Sequence, residues 1–260
     1  MSVPSTVRFR RWVAIGDSFT EGVGDPDPGR PNGVRGWADR AAAVLAAADP
    51  DFGYANLAIR GRKLGPILTE QVEPALALEP DLVSVYAGAN DVLRPRVDLD
   101  AIVGAYDAAL GRLGSSGAQL VVFTAYDPGG APVFGALRGR FATYNELVRE
   151  VAEARGATLV DFWRMRAYRD QRMWAEDRMH MSSAGHQQMA TAFLDALGVA
   201  HDLRPLPLED PVAASGARRR ADAAAWLRRD AVPWVHRRLT GRSSGDALSP
   251  RWPSYARPEG

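Results

Sequence analysis

Arg11-Trp12-Val13-Ala14-Ile15-Gly16-Asp17-Ser18-Phe19 sets a short apolar run directly against a turn. Arg11–Ile15 has the character of a strand buried on both faces. A glycine followed by a polar pair at the end of such a strand lets the chain turn sharply and presents Ser18 at the rim. Four similar runs follow, at Tyr54–Ile59, Asp81–Tyr86, Ala118–Tyr126 and Ala157–Phe162. Helical patterns lie between and after them: Trp37–Ala48, Ile67–Leu78 with Pro74 inside, Leu99–Leu113, Ala136–Arg155 and Ser183–Leu197. Gly114, Gly156 and Gly198 follow the last three and fit the left-handed position that closes a helix. Strand and helix alternating at this spacing predict a parallel sheet covered on both faces, a three-layer α/β/α sandwich.

The remaining composition removes chemistries. The chain has 260 residues, no cysteine and four histidines, His180, His186, His201 and His236. A thiolate nucleophile, a disulfide framework and a cysteine-ligated metal are therefore excluded. The one lysine, Lys63, lies between Arg62 and Leu64 and makes no P-loop. A formal net charge of +1 is not the footprint of a nucleic-acid binder. No apolar run approaches the ~18–20 residues of a membrane span. Arg8, Arg10 and Arg11 are followed by only four apolar residues before Gly16, which is no signal-peptide core, so the expected location is the cytoplasm.

Ligands of open α/β sheets bind outside the carboxyl ends of the strands, and four segments deliver polar groups there. The first is Gly16-Asp17-Ser18-Phe19. The second runs from Asn56 to Gly61, whose backbone N–H can approach a ligand closely. The third is Gly88-Ala89-Asn90-Asp91, and the last is Asp177-Arg178-Met179-His180, just before a helix opened by Ser182 or Ser183. Serine needs a base within reach and a third group to orient that base. His180 can take the Ser18 proton while Asp177, three residues earlier, holds the other ring nitrogen. The Ser18 N–H, the Gly61 N–H and the Asn90 amide are the candidate donors to an oxyanion. Asp17 and Asp91 read as turn braces.

In order and spacing, these four blocks resemble those of the SGNH/GDSL hydrolases over about residues 10–198. Phe19 stands where the family name carries leucine, and the second block is sparse around Gly61. The resemblance implies a five-stranded, flavodoxin-like sheet of order 2-1-3-4-5. It also implies ester hydrolysis through an acyl-enzyme on Ser18, with His180 as base and Asp177 as its orienter. Ser18, Gly61 and Asn90 would form the oxyanion hole, and no metal or cofactor is needed. The expected partner is a small-molecule ester. A carbohydrate O-deacetylase would use the same residues, and a non-catalytic binding module could share the fold.

Rival readings are weaker. His186 lies on the helix after His180 and is expected to pack or face solvent. His201 has only the adjacent Asp202, read as pointing elsewhere, and His236 lies among Arg237 and Arg238, whose charge disfavours an imidazolium. Gly241-Arg242-Ser243-Ser244-Gly245 matches Gly-x-Ser-x-Gly, but no strand precedes it and no histidine follows. Arg60, Arg62 and Lys63 read as a solvated face, the alternative being recognition of a carboxylate or phosphate. The loops 19–36 and 126–136 are expected to shape the pocket, and the first is too polar for an evident acyl tunnel. Composition shifts near Leu203, so residues 1–202 are taken as the hydrolase domain. Residues 203–260, with eleven Arg against seven acids over 201–260, are taken as an Arg/Pro/Trp-rich extension docked on it. Within that extension, Ala221–Leu239 is read as a helical patch broken at Pro233.

Overall fold

The computed structural model describes residues 9–129, 134–208, 224–226, 228–229, 232 and 243–258. Most of the Ala221–Leu239 patch, with Pro233, Trp234, His236, Arg237 and Arg238, lies outside the described residues, as do Gly241 and Arg242.

Among the described residues six strands form one sheet: β1 Arg11–Gly16, β2 Gly53–Asn56, β3 Leu82–Tyr86, β4 Gln119–Phe123, β5 Thr158–Val160 and β6 Trp252–Ala256. Their order is β5-β4-β3-β1-β2-β6. The first five are parallel in the expected order. The expected count of five is corrected to six, because β6 adds antiparallel to β2. Pro253 sits in that edge strand, where a missing N–H is tolerated.

Alternation along β1 divides the core. Trp12 and Ala14 point to one face, with Trp37, Leu45 and Phe193, from α2 (Trp37–Ala48) and α7 (Ser183–Ala196). Val13 and Ile15 point to the other, with Ile67, Leu110 and Val148, from α3 (Leu64–Ala77), α5 (Leu99–Gly114) and α6 (Arg138–Ala154). A strand with period two feeding two apolar layers is what a sheet covered on both sides requires. Two short helices, α1 (Ser18–Glu21) and α4 (Ala89–Val92), begin at the ends of β1 and β3.

Two of the three glycines expected to close helices do so. Gly156 and Gly198 are left-handed just beyond α6 and α7, at φ +62° and +67°. Gly114 instead ends α5 as a helical residue, and the left-handed turn falls on Gly117 at φ +85°.

Candidate active site

The turn after β1 accepts only glycine. Gly16 has φ +152°, and a Cβ there would lie 2.6 Å from the Tyr86 carbonyl and 2.7 Å from Thr20 Oγ1. The buried Gln71 clamps it from α3, accepting from Gly16 N–H at 2.7 Å and donating to its carbonyl at 2.9 Å. Asp17 then caps α1 by accepting from Phe19 N–H at 3.0 Å, which fixes Ser18 as the first helical residue. Nothing in the sequence marked Gln71, because one glutamine in a helix has no distinguishing neighbours.

Asn90 Nδ2 donates to Asp17 Oδ2 at 2.8 Å and to the Arg62 carbonyl at 3.0 Å. Asp91 accepts from Leu64 N–H at 2.8 Å, tying this block to the start of α3. The two aspartates expected as turn braces therefore also link separate blocks. Gly61 is left-handed at φ +76° and exposed. Its own position is against the C-terminal segment, since a Cβ there would meet Ser243 Oγ at 2.1 Å.

His180 and Asp177 form a close pair, with Nδ1 of the ring 2.6 Å from Asp177 Oδ2. Asp177 Oδ1 accepts from the backbone N–H groups of Met179 at 2.9 Å and His180 at 3.0 Å. Burial alone would push this carboxyl up. Its hydrogen bond to His180, the charge of that ring and the two backbone donors outweigh burial and bring it to about 2. With Nδ1 committed to a carboxylate, Nε2 is the ring nitrogen available to accept a proton.

Asn90 and His180 both line a cavity of about 110 Å³, and so do Asp17 and Phe19 on either side of Ser18. Ser18, Gly61 and Asp177 are not themselves in that lining. The walls are largely apolar and aromatic, including Phe141, Phe162 and Trp174. Val23, Tyr126 and Phe134 come from the two loops expected to shape the pocket. Loop 19–36 is polar, but most of the aromatic wall comes from elsewhere.

Arg60, Arg62, Ser243 and His201 are accounted for by their partners. Arg60 is paired with the fully buried Glu21, Nη2 to Oε1 at 2.7 Å. Arg62 pairs with Glu70 at 3.0 Å and Asp246 at 3.4 Å. Ser243 Oγ donates to the Arg60 carbonyl at 2.9 Å, so this serine of the Gly-x-Ser-x-Gly match serves as a packing contact. His201 meets Asp195 at 3.2 Å.

His186 is fully buried and lines the cavity, yet both ring nitrogens are used. Nδ1 accepts from Trp37 N–H at 3.1 Å, satisfying an end donor of α2, and Nε2 donates to the Val23 carbonyl at 3.1 Å. Burial is the largest cause that holds this ring down at about 4. The Val23 hydrogen bond and the Asp25 charge oppose the shift, while Arg40 and His180 add to it. Because the folded value lies below the unfolded one, the folded state resists a proton that the unfolded chain accepts. Stability should therefore fall as pH drops from about 6.5 to about 4, by roughly 3 kcal/mol from this residue. Urea melts of wild type and His186→Asn should show their stability gap narrowing over that window. A gap independent of pH would refute this.

An acetylxylan esterase from Geobacillus stearothermophilus is 29% identical over 207 residues, 71% of this chain and 92% of that protein. The crystal structure of LAE5, an α/β hydrolase enzyme from the metagenome of Lake Arreo, Spain, is 28% identical with a TM-score of 0.62. The match covers 74% of this chain and 97% of LAE5. The crystal structure of Axe2, an acetylxylan esterase from Geobacillus stearothermophilus, shares the fold at 22% identity and a TM-score of 0.59, over 75% and 98% of the two chains. The family of GDSL-like lipases and acylhydrolases matches residues 14–188. With that match spanning most of the chain, the protein belongs to the GDSL-like lipase/acylhydrolase family and is a serine ester hydrolase.

Proposed function

We propose that the chain hydrolyses esters of small acyl groups, with Ser18 as nucleophile, His180 as general base and Asp177 as the orienter of His180. The observation that carries this reading is the 2.6 Å Asp177–His180 pair on a cavity flanked by the turn that bears Ser18. Ser18 Oγ attacks the acyl carbon as its proton passes to His180 Nε2. The imidazolium then protonates the departing alkoxide, leaving an acyl-enzyme. Water, deprotonated by the same ring, attacks that ester, and the proton returns to Ser18 as the carboxylic acid leaves.

The proposed donors to the oxyanion are the backbone N–H of Ser18 and the amide of Asn90, which would trade its bond to the Arg62 carbonyl for one to the oxyanion while Asp17 keeps holding it. Gly61 N–H, outside the cavity lining, is the third expected donor. Asn90→Ala should lower kcat by about 10²–10³ with KM little changed in steady-state assays. A variant within threefold of wild type would remove Asn90 from the hole.

A cavity of about 110 Å³ is smaller than the ~150 Å³ engineered cavity that holds benzene, which favours acetyl to butyryl groups. Deacetylation of a carbohydrate is the specific form favoured by the 29%-identical acetylxylan esterase. No helix among the described residues is long and apolar enough to cross a membrane. Residues 1–202 are the proposed hydrolase domain and 203–260 an extension lying on it. The β2–β6 pairing and the burial of Arg251 support the docking of that segment on the body.

A fluorophosphonate should add one phosphonyl group, mapped by peptide mass spectrometry to Ser18. An unlabelled Ser18 would favour a non-catalytic binding module. Beside it, p-nitrophenyl esters of increasing chain length and acetylated xylo-oligosaccharides should give the highest kcat/KM with two to four acyl carbons. An optimum at twelve carbons would sink the small-acyl reading.

A further inference from the structure

We propose that Trp226, in the C-terminal extension, is a positioning residue for the Asp177–His180 pair, an inference that rests on the catalytic reading above. Its indole Nε1 donates to the backbone carbonyl of Asp177 at 2.8 Å. The guanidinium of the next residue, Arg178, lies 5.3 Å from the centroid of the same indole ring, within cation–π range. One side chain from the extension therefore holds two consecutive residues of the turn that carries the pair.

That turn has a reason to need holding. Arg178 has φ +56°, a left-handed conformation that a long L side chain rarely adopts. Such a residue persists where its surroundings over-determine it. Part of the constraint is internal. Arg178 N–H donates to the Ala175 carbonyl at 2.9 Å, Ala175 N–H donates to the His180 carbonyl at 2.8 Å, and Asp177 Oδ1 takes the two backbone donors described above. These bonds fix the path of the backbone. The Asp177 carbonyl and the Arg178 side chain are held from outside it, both by Trp226. Rotating the peptide plane after Asp177 would displace the Met179 and His180 N–H groups that hold Asp177 Oδ1. An ion pair between Arg229 and Glu176, at 3.3 Å, joins the same two segments one residue before the pair begins.

A groove of about 500 Å³ lies between Trp226, Arg178 and Trp174, and Trp174 also lines the catalytic cavity. Direct contact of Trp226 with substrate is therefore the competing role, and the two roles differ in kinetics. A residue that orients the base changes kcat and the reactivity of the nucleophile. One that binds the alcohol part of the ester changes KM.

The test uses the full chain, with Trp226→Phe, which keeps a ring over Arg178 but loses the N–H donor, and Trp226→Ala, which loses both. With p-nitrophenyl acetate, kcat should fall about tenfold in Trp226→Ala and by less in Trp226→Phe, with KM within twofold of wild type. The rate constant for fluorophosphonate labelling of Ser18 should fall in step with kcat. Melting temperatures accompany each assay, and loss of kcat in Trp226→Phe at an unchanged melting temperature supports the proposal. Wild-type kcat in both variants overturns it. So does a raised KM at unchanged kcat, or a loss that merely tracks the unfolded fraction. If wild-type protein is not labelled at Ser18 at all, the catalytic reading fails instead, and that result is separate from any effect of Trp226.

Discussion

Ser18→Ala should lower kcat by about 10⁴-fold or more while the protein stays folded, with an unchanged melting temperature and an intact aromatic circular dichroism signal. The substitution removes one oxygen from the first residue of α1. The groups that shape the turn belong to its neighbours: Gly16 clamped by Gln71, and Asp17 shared between Phe19 N–H and Asn90. Catalysis and structure are thus carried by adjacent residues, so the two readouts separate. Without the hydroxyl there is no acyl-enzyme, and any residual turnover has to come from water acting in a site that still orients the ester and stabilises its oxyanion. Residual activity therefore measures the donors alone. Asn90→Ala in the Ser18→Ala background should remove much of the turnover that remains, because that turnover rests on the oxyanion donors. If Ser18→Ala keeps more than a tenth of wild-type kcat, another residue is the nucleophile.

The parts of the site that could be read in the sequence are those encoded within a few residues of each other. An apolar strand ending in Gly16-Asp17-Ser18 announces a sharp turn, and Asp177 three residues before His180 announces a pair on one loop. Helix α2 has the bounds its pattern predicts, Trp37 to Ala48, since an alanine-rich run stopping before a proline leaves few alternatives. The illegible parts depend on partners distant in sequence. Arg60 looks like a solvated charge beside Arg62 and Lys63. It is in fact the counter-ion of Glu21, 39 positions away, whose side chain has no exposure at all. The sixth strand carries a proline and no clean alternation, so only an available edge on β2 makes it a strand. The aromatic wall of the cavity is illegible for a related reason: loop 19–36 is polar, whereas Phe141, Phe162 and Trp174 come from three segments that only the fold brings together.

Arg251→Ala should lower stability by about 3–5 kcal/mol. The Arg251 side chain is fully buried, 2.6 Å from an Asp39 carboxylate that is 2% exposed. It also donates to the carbonyls of Glu21, Pro31 and Val34. Burial pushes the Asp39 carboxyl up, and the Arg251 charge and hydrogen bond pull it partly back. Removing the guanidinium leaves that carboxylate without its counter-ion, with Gly36 N–H and Trp252 Nε1 still donating to it, and takes a donor from three carbonyls in a place water does not reach. The sign of the pH effect follows. Asp39 would be held still higher, so the variant recovers stability relative to wild type as pH falls and the carboxyl protonates. Adding Asp39→Asn should recover part of the loss at neutral pH, because the neutral amide needs no counter-ion. Urea unfolding at two pH values measures all three. A loss below about 1 kcal/mol, the scale of an exposed pair, would mean that the ion pair does not anchor the C-terminal segment. The consequence extends to the site, because the Glu21 carbonyl that Arg251 holds belongs to the four-residue helix that begins at Ser18. Arg251→Lys keeps the charge but not the planar fork that reaches several acceptors at once. It should therefore restore part of the stability, and the folded fraction of that variant should show a lower kcat than wild type.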